Sequence, residues 1–189
     1  MPWPSVAVAV GDVISNTQLN LLPIQIADST LSGSASSFNF ASIPSQFAHL
    51  QVVVHARGDT AATSTNLSMQ FNGDTTATYF WERLIGQAGT ASADEGTGIT
   101  SINLGAIPAA TATADVFGSA EVLIPNYVGA HLKLFQCLNG YRTSLAGGAG
   151  SLILEAGMWD NGTGINRVTI FPSAGSFVSG SRATLYGLA

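Results

Sequence analysis

The chain has 189 residues, of which 46% are apolar and only 9% are charged, and its net charge is −5. This length suits one domain with a sizeable core. The charged fraction is far below the roughly 25% of ordinary soluble domains, which is typical of β-rich proteins that work in assemblies. Lys133 is the only lysine. No basic patch can therefore neutralise phosphates, and nucleic-acid binding is not expected.

The sequence carries no signal for export or for a membrane. Cys137 is the only cysteine and has no partner within the chain for a disulfide. The first residues lack the basic region of a signal peptide, and no apolar run reaches the roughly 18 residues of a membrane span. We therefore expect a protein that is made in a cytoplasm and stays soluble until it assembles, with no membrane partner.

The N-terminal region predicts an arm with one short helical turn. Ser15 and Gln18 have the spacing of a capping box, an apolar group follows them, and Pro23 ends the pattern. Before this turn, three valines alternate with small residues. We interpret residues 1–33 as an arm or lead-in segment and residues 34–189 as the main domain. The alternative, that residues 1–33 are the first strands of that domain, stays open.

Short apolar runs follow one another along the chain, separated by clusters of Gly, Ser, Asn and Thr. Many of these runs alternate with period two, which predicts β-strands. In chain order, the runs cover residues 5–10, 22–28, 37–40, 48–57, 66–72, 78–86, 99–107, 115–125, 130–140, 151–160, 165–172 and 181–188. About a dozen short strands predict an all-β fold, an antiparallel β-sandwich that is jelly-roll-like.

The connections between the runs have turn chemistry of their own. Asn72-Gly73, Asn139-Gly140 and Asn161-Gly162 each follow an apolar run. Asn-Gly readily takes the positive φ of a tight turn, so all three predict turns. The Gly-rich segments 86–98 and 144–151 predict flexible, exposed connections.

A search for catalytic and metal-binding residues finds no candidate set. His49 and His55 share one strand parity, opposite to the apolar positions, which predicts that both face solvent or a partner; His131 opens another strand. The one adjacent acidic pair, Asp94-Glu95, lies in a polar segment where solvation explains it. No motif of a nucleophile, a nucleotide-binding loop or a metal site is present. We predict no enzymatic activity, no cofactor and no metal.

Arg57-Gly58-Asp59 matches an adhesion tripeptide. Parity places Arg57 at the outward end of the strand that begins near Ala48. Gly58 permits a turn, and Asp59 can bond its own backbone. We interpret the tripeptide as a strand end, at a rim of the sandwich that is open to a neighbour.

The order of the motifs resembles a group of bacteriophage virion structural proteins. The matching segments are "FNFASIPSQFAHL" (38–50), the "FNGD" hairpin (71–74) followed by "TYFWERLIG" (78–86), and the later segments 107–127 and 155–188. The lead-in "GDVISNTQLNLLP" (11–23) is similar to the start of phage tail and fibre proteins. The resemblance covers most of residues 34–188. It implies a virion component with no catalytic residues.

Three functions follow as hypotheses. The first is a capsid decoration or cement protein, a homo-oligomer in which a trimer is one candidate state. It would bind the major capsid protein or other virion subunits through strand edges and through the apolar side chains of its arm, Trp3, Val6, Val8, Val10, Leu19, Leu21 and Leu22. The second is a tail-fibre or tail-tip module that binds a host glycan or protein. The third, a glycan-cleaving enzyme, would need two carboxylates about 5–10 Å apart across a cleft. The coiled-coil and Gly-X-Y shaft of long fibres are missing, which favours decoration of a particle surface.

Overall fold

The computed structural model describes residues 23–146 and 150–189, and within these ranges every regular element is a β-strand. The prediction of an all-β, antiparallel β-sandwich is confirmed. The helical turn predicted near residues 15–22 lies outside the described residues. The strands are β1 (Ile24–Thr30), β2 (Phe38–Phe40), β3 (His49–Ala56), β4 (Ser64–Phe71), β5 (Tyr79–Gln87), β6 (Thr90–Ile99), β7 (Ile102–Pro108), β8 (Gly118–Pro125), β9 (Lys133–Arg142), β10 (Gly150–Trp159), β11 (Val168–Pro172) and β12 (Arg182–Leu188).

The strands form two sheets of unequal size. The large sheet has eight strands in the order β1-β12-β3-β8-β9-β10-β5-β6, and the small sheet has four in the order β2-β11-β4-β7. Within the small sheet, β7 packs most closely on β9 of the large one. The small sheet covers one face of the large sheet, and no layer formed by the described residues covers the other face.

The core lies between the two sheets and is rich in aromatic side chains. The ring centroids of Phe71 and Trp159 are 5.6 Å apart, and those of Tyr79 and Trp159 are 6.2 Å apart. Such aromatic pairs add about 0.5–1.5 kcal/mol each beyond the burial of their area. Because these residues come from β4, β5 and β10, they hold the small sheet against the large one.

The last part of the predicted lead-in belongs to the large sheet. Residues Ile24–Thr30 form β1, which pairs with β12 in antiparallel register, so that Asp28 lies opposite Thr184. Asp28 accepts hydrogen bonds from Arg182 Nε at 2.8 Å and from Thr184 Oγ1 at 2.6 Å. A domain boundary at residue 33 stays a prediction.

The three Asn-Gly pairs have different outcomes. Asn72-Gly73 makes the predicted turn between β4 and β5, with positive φ at both residues (54° and 70°). Asn161-Gly162 lies in the connection after β10, where Asn161 Oδ1 accepts a hydrogen bond from the backbone N–H of Thr163. The turn predicted at Asn139-Gly140 is wrong, because both residues lie inside β9. Asn139 is fully buried there and donates to the carbonyl of Ala106 at 3.0 Å.

The segment 86–98 was predicted to be a flexible connection, and this is wrong. Residues Thr90–Ile99 form β6, which pairs with β5 and ends the large sheet. The turn between the two strands is only Ala88-Gly89, both with positive φ. Gly, Ser and Thr are poor evidence for a strand in a sequence, but an edge strand that is open to solvent needs no apolar face.

Asp74 ties the Asn72-Gly73 turn to the core. Its Oδ2 accepts a hydrogen bond from Trp159 Nε1 at 2.8 Å, and its Oδ1 accepts from the backbone N–H of Thr76 at 2.9 Å. The Thr76 hydroxyl, which also bonds this carboxylate, is the main cause that lowers the pKa of Asp74 to about 2. The carboxylate therefore stabilises the fold wherever it is ionised.

Replacing Asp74 by Ala should lower the free energy of unfolding at pH 7 by about 2 kcal/mol, because the buried indole N–H loses its acceptor. In the wild type, this contribution is present above the unfolded pKa near 3.8 and is lost as the pH falls towards 2. Urea denaturation at pH 7 and pH 2.5 measures both effects. Asp160→Asn, on an exposed side chain, is the control. Equal stability of Asp74→Ala and the control at pH 7 would contradict the assignment.

Candidate interaction surface

The uncovered face of the large sheet carries exposed leucines on three adjacent strands. Buried and exposed positions alternate along most of β5, β9 and β10, so every second side chain points away from the small sheet. Five leucines at outward positions are at least half exposed: Leu84 (62%), Leu134 (57%), Leu138 (50%), Leu152 (58%) and Leu154 (55%). We call this surface the leucine face. Soluble monomers rarely expose apolar patches of more than a few hundred Å², so such a surface indicates a binding site.

The strand register lines these leucines up across the sheet. Leu154 of β10 lies opposite Leu84 of β5 on one side and Leu138 of β9 on the other. Side chains in such positions are about 5 Å apart at Cβ, so the three form a continuous apolar ridge.

The next row has a different shape. Leu152 lies between Gly86 of β5 and Gly140 of β9. A Cβ atom at Gly140 would meet nothing within 4 Å, and one at Gly86 would meet only the carbonyl oxygen of Leu152 at 3.9 Å. Each glycine therefore leaves an open hollow beside the ridge.

On the other side of the ridge, the leucine face has two open clefts of about 880 Å³ and 570 Å³. Glu82, Glu95, Gln136 and Ala156 line both. Glu82 lies directly opposite Glu95 in the register, and both are exposed. Like charges so placed repel each other, so this end of the face is acidic. Arg142, also at an outward and exposed position, lies at the far end of β9.

Beside the leucine face, β6 presents an open sheet edge. Among the strands that the structure describes, it is the terminal strand of the large sheet, and the side chains from Thr90 to Glu95 are exposed on both faces. The unpaired N–H and C=O groups of an edge strand can form main-chain hydrogen bonds with a strand of another subunit. The edge and the leucine face together form one surface suited to a protein partner.

The opposite, inward face of these strands contains a charged cluster that runs from the exposed Asp94 to the buried Glu155. The register places Asp94, Arg83 and Glu155 in one line across β6, β5 and β10. Arg83 Nη2 donates to Asp94 Oδ2 at 2.6 Å, and the guanidinium carbon lies 4.5 Å from the ring centroid of Trp81. Glu155 is 2% exposed, and neither of its carboxyl oxygens has a hydrogen-bond partner among the described residues.

Burial raises the pKa of Glu155 to about 8, an effect that the positive charge of Arg83 opposes. The hydrogen bond from Arg83 lowers the pKa of Asp94. A carboxyl with a raised pKa is often functional, but a general acid must reach a substrate. The side chain of Glu155 points between the two sheets, away from the leucine face. We therefore expect the cluster to affect the stability of the sandwich, and not a reaction at the leucine face.

The position predicted for Arg57 is wrong. Arg57 is only 8% exposed. Nη1 donates to the carbonyls of Thr113 (2.6 Å) and Val116 (3.0 Å), and Nη2 donates to those of Ala112 (3.0 Å) and Ala110 (3.4 Å). Because β3 ends at Ala56, the period of the strand no longer sets the direction of this side chain.

The rest of the tripeptide is also structural. Gly58 is buried and forms an isolated bridge with Phe177, and Asp59 Oδ1 accepts a hydrogen bond from the backbone N–H of Ser176 at 2.7 Å. An adhesion motif must present its arginine to a receptor. Because Arg57 is buried, the tripeptide connects three loops. It does not form the rim, open to a neighbour, that the sequence predicted.

The histidines take the outward positions predicted for them but form no site. His49 Nδ1 accepts a hydrogen bond from the backbone N–H of Asn126 at 3.1 Å, and His55 stacks on Phe117 with ring centroids 4.7 Å apart. Over residues 23–146 and 150–189, no group of three His, Cys, Asp or Glu residues could hold a metal ion. Over the same ranges, no helix is long and apolar enough to cross a membrane.

The arm contacts predicted from the sequence lie outside the described residues. These are Trp3, Val6, Val8, Val10, Leu19, Leu21 and Leu22. The leucine face was not predicted, although its strands carry a signal for it. The runs "LKLFQCL" (132–138) and "SLILEA" (151–156) have apolar residues at both parities, which is typical of strands covered on both faces.

Comparison with known proteins gives no relative in sequence. No protein-family model matches, and no curated protein matches significantly. Among solved structures, one similarity is to exo-inulinase from Aspergillus awamori, with a TM-score of 0.38 and 10% identity over 93% of this chain and 30% of that chain. Another is to scytalido-glutamic peptidase with a transition state analog inhibitor, with a TM-score of 0.26 and 13% identity over 85% of this chain and 66% of that chain. The chain thus spans under a third of the inulinase. Similarities at this level carry no argument about activity.

Proposed function

We propose that the chain is a non-enzymatic structural protein of a bacteriophage particle, a capsid decoration or cement protein. The leucine face is the observation that supports an assembly role. Five leucines are at least half exposed on it, and a partner that removes them from water lowers the free energy. The open edge of β6 adds the means for main-chain pairing with a neighbour. The resemblance of the sequence motifs to phage virion proteins supports the particle as the place of assembly.

In this role, the chain is made in the host cytoplasm and joins the virion as a homo-oligomer. Its partners are the major capsid protein or other virion subunits. The arm, residues 1–33 in the sequence-based division, supplies a second contact through its apolar side chains. Low charge suits such a role, since a surface that meets protein needs fewer charged groups than one that meets water.

Deletion of residues 1–22 should abolish incorporation into particles and leave the sandwich folded, because β1 begins only at Ile24. Purified truncated and full-length chains are added to particles that lack the protein, and bound copies are counted by mass spectrometry after sedimentation. Circular dichroism of the truncated chain checks its fold. Normal loading of the truncated chain would contradict the role of the arm. Absence of the full-length chain from purified virions would overturn the proposed function.

A further inference from the structure

The leucine face has a shape that fits a second copy of itself. The ridge of Leu84, Leu154 and Leu138 lies one row from the hollows at Gly86 and Gly140. Consider a two-fold axis that lies in the plane of the interface, perpendicular to the strands and midway between these two rows. Rotation about this axis reverses the strand direction and exchanges the two rows. Each strand then lies over its own copy. Leu84 meets the hollow at Gly86 of the second copy, Leu138 meets the hollow at Gly140, and Leu154 packs on Leu152, which lies between the two hollows.

The charges agree with the same arrangement. Glu121 lies in the ridge row and Ser119 in the hollow row of β8, so the axis brings a carboxylate over a hydroxyl. The row of Glu82 lies one step beyond the ridge, and the row of Arg142 lies one step beyond the hollows. The axis therefore places the row of Glu82 of one copy over the row of Arg142 of the other, with Arg142 directly over Gln136 and two strands, about 10 Å, from Glu82. Neither the row of Glu121 nor the row of Glu82 lies over a row that contains a carboxylate.

The area of overlap is smaller than the whole face. The axis lies nearer one end of each strand than its middle, so only five to seven residues of β6, β5, β10, β9 and β8 lie over their own copy. At about 3.3 Å per residue and about 4.8 Å between strands, the flat overlap is about 450 Å². Standard interfaces bury about 800 Å² of accessible surface on each partner, and side chains make the accessible area larger than the flat overlap.

We propose that the leucine face binds the same face of a second copy, with strands reversed and with Leu84 and Leu138 of each copy in the glycine hollows of the other. Such a contact is isologous, so it closes after two copies and leaves the β6 edge and the arm free for other virion subunits. The inference rests on the proposed assembly role, and it names the first partner of that surface.

Substitution of the glycines tests the packing directly. Gly140→Val and Gly86→Val each fill a hollow, and neither glycine has positive φ, so the isolated sandwich tolerates the new side chain. Sedimentation equilibrium of the full-length chain should give a dimer for the wild type. Each variant should raise the dimer dissociation constant about tenfold or more, since overpacked contacts of this kind lose that much. Gly33→Val, at a glycine with free space in the loop after β1, is the matched control and should dimerise as the wild type does.

The direction of the effect is decisive. Valine adds apolar surface, so unspecific stickiness of the leucine face would strengthen association in both variants, whereas filled hollows weaken it. Unchanged or tighter association of folded Gly140→Val and Gly86→Val, a trimeric mass, or a monomeric wild type would each overturn the proposal. A monomer that still loads onto particles would overturn only this inference, and a dimer that is absent from virions would overturn only the proposed function.

Discussion

Replacing Arg57 by Ala should lower the free energy of unfolding by about 3–5 kcal/mol, which is enough to unfold many domains of this size. The guanidinium bonds four carbonyl oxygens between Ala110 and Val116. Without it, these acceptors, of which that of Ala112 is buried and the others are partly buried, lose their donors, and each buried unsatisfied group costs about 1–3 kcal/mol. The loop 109–117 would then be held to the segment after β3 only by its backbone hydrogen bonds, such as that from Ala110 to the carbonyl of Thr60.

Two further substitutions separate charge from geometry at this position. Arg57→Lys keeps the positive charge, but one ammonium cannot reproduce the planar fork that serves four carbonyls, so we expect a loss of about 2 kcal/mol. Arg167→Ala removes an exposed arginine and should change stability by less than about 0.5 kcal/mol. Guanidinium denaturation of the four proteins measures these differences. Arg57→Ala as stable as Arg167→Ala would refute the structural role of the tripeptide.

The sequence predicted the strands well where one face is buried. The run at residues 66–72 alternates strictly, and the run at 48–57 does so except at Val53; they become β3 and β4, whose apolar sides meet the core. Asn72-Gly73 was also predictable, since its turn depends on local backbone geometry alone. Local rules suffice for features that depend on neighbours in the chain.

Features that depend on distant residues could not be predicted in this way. Asn139 lies within a strand because the carbonyl of Ala106, on the other sheet, accepts its amide. Arg57 turns inward because four carbonyls of another loop surround it. The leucine face depends on the order of the strands, since only the pairing of β10 with β5 and β9 brings its leucines into rows. The apolar residues at both parities of β9 and β10 indicate a second apolar face, but neither propensity nor period gives the order of the strands.

The stability of the protein should fall as the pH rises from about 4.5 to about 8, and Glu155 is the reason. Its pKa is raised from 4.5 to about 8 in the folded state. Between these values, the folded chain keeps a proton that the unfolded chain releases. The contribution of this proton to the free energy of unfolding is fully present below pH 4.5 and is lost as the pH rises through 8. Since one pKa unit corresponds to about 1.4 kcal/mol, the total change is of the order of 5 kcal/mol.

Glu155→Gln removes this titration and keeps the size of the side chain. At pH 5 the variant should differ from the wild type by less than about 1 kcal/mol, because both side chains are then neutral in the folded state. At pH 8.5 it should be more stable by about 3 kcal/mol, because the wild type must either bury a charge or bind a proton. Urea denaturation at pH 5, 6.5 and 8.5 measures the slope. Glu95→Gln, at an exposed position of β6, should follow the wild-type slope. If Glu155→Gln also follows it, Glu155 is not the buried carboxyl that makes the sandwich sensitive to pH. A stable Glu155→Gln protein with a flat profile would show that this buried carboxyl lowers the stability of the sheet that carries the leucine face near neutral pH.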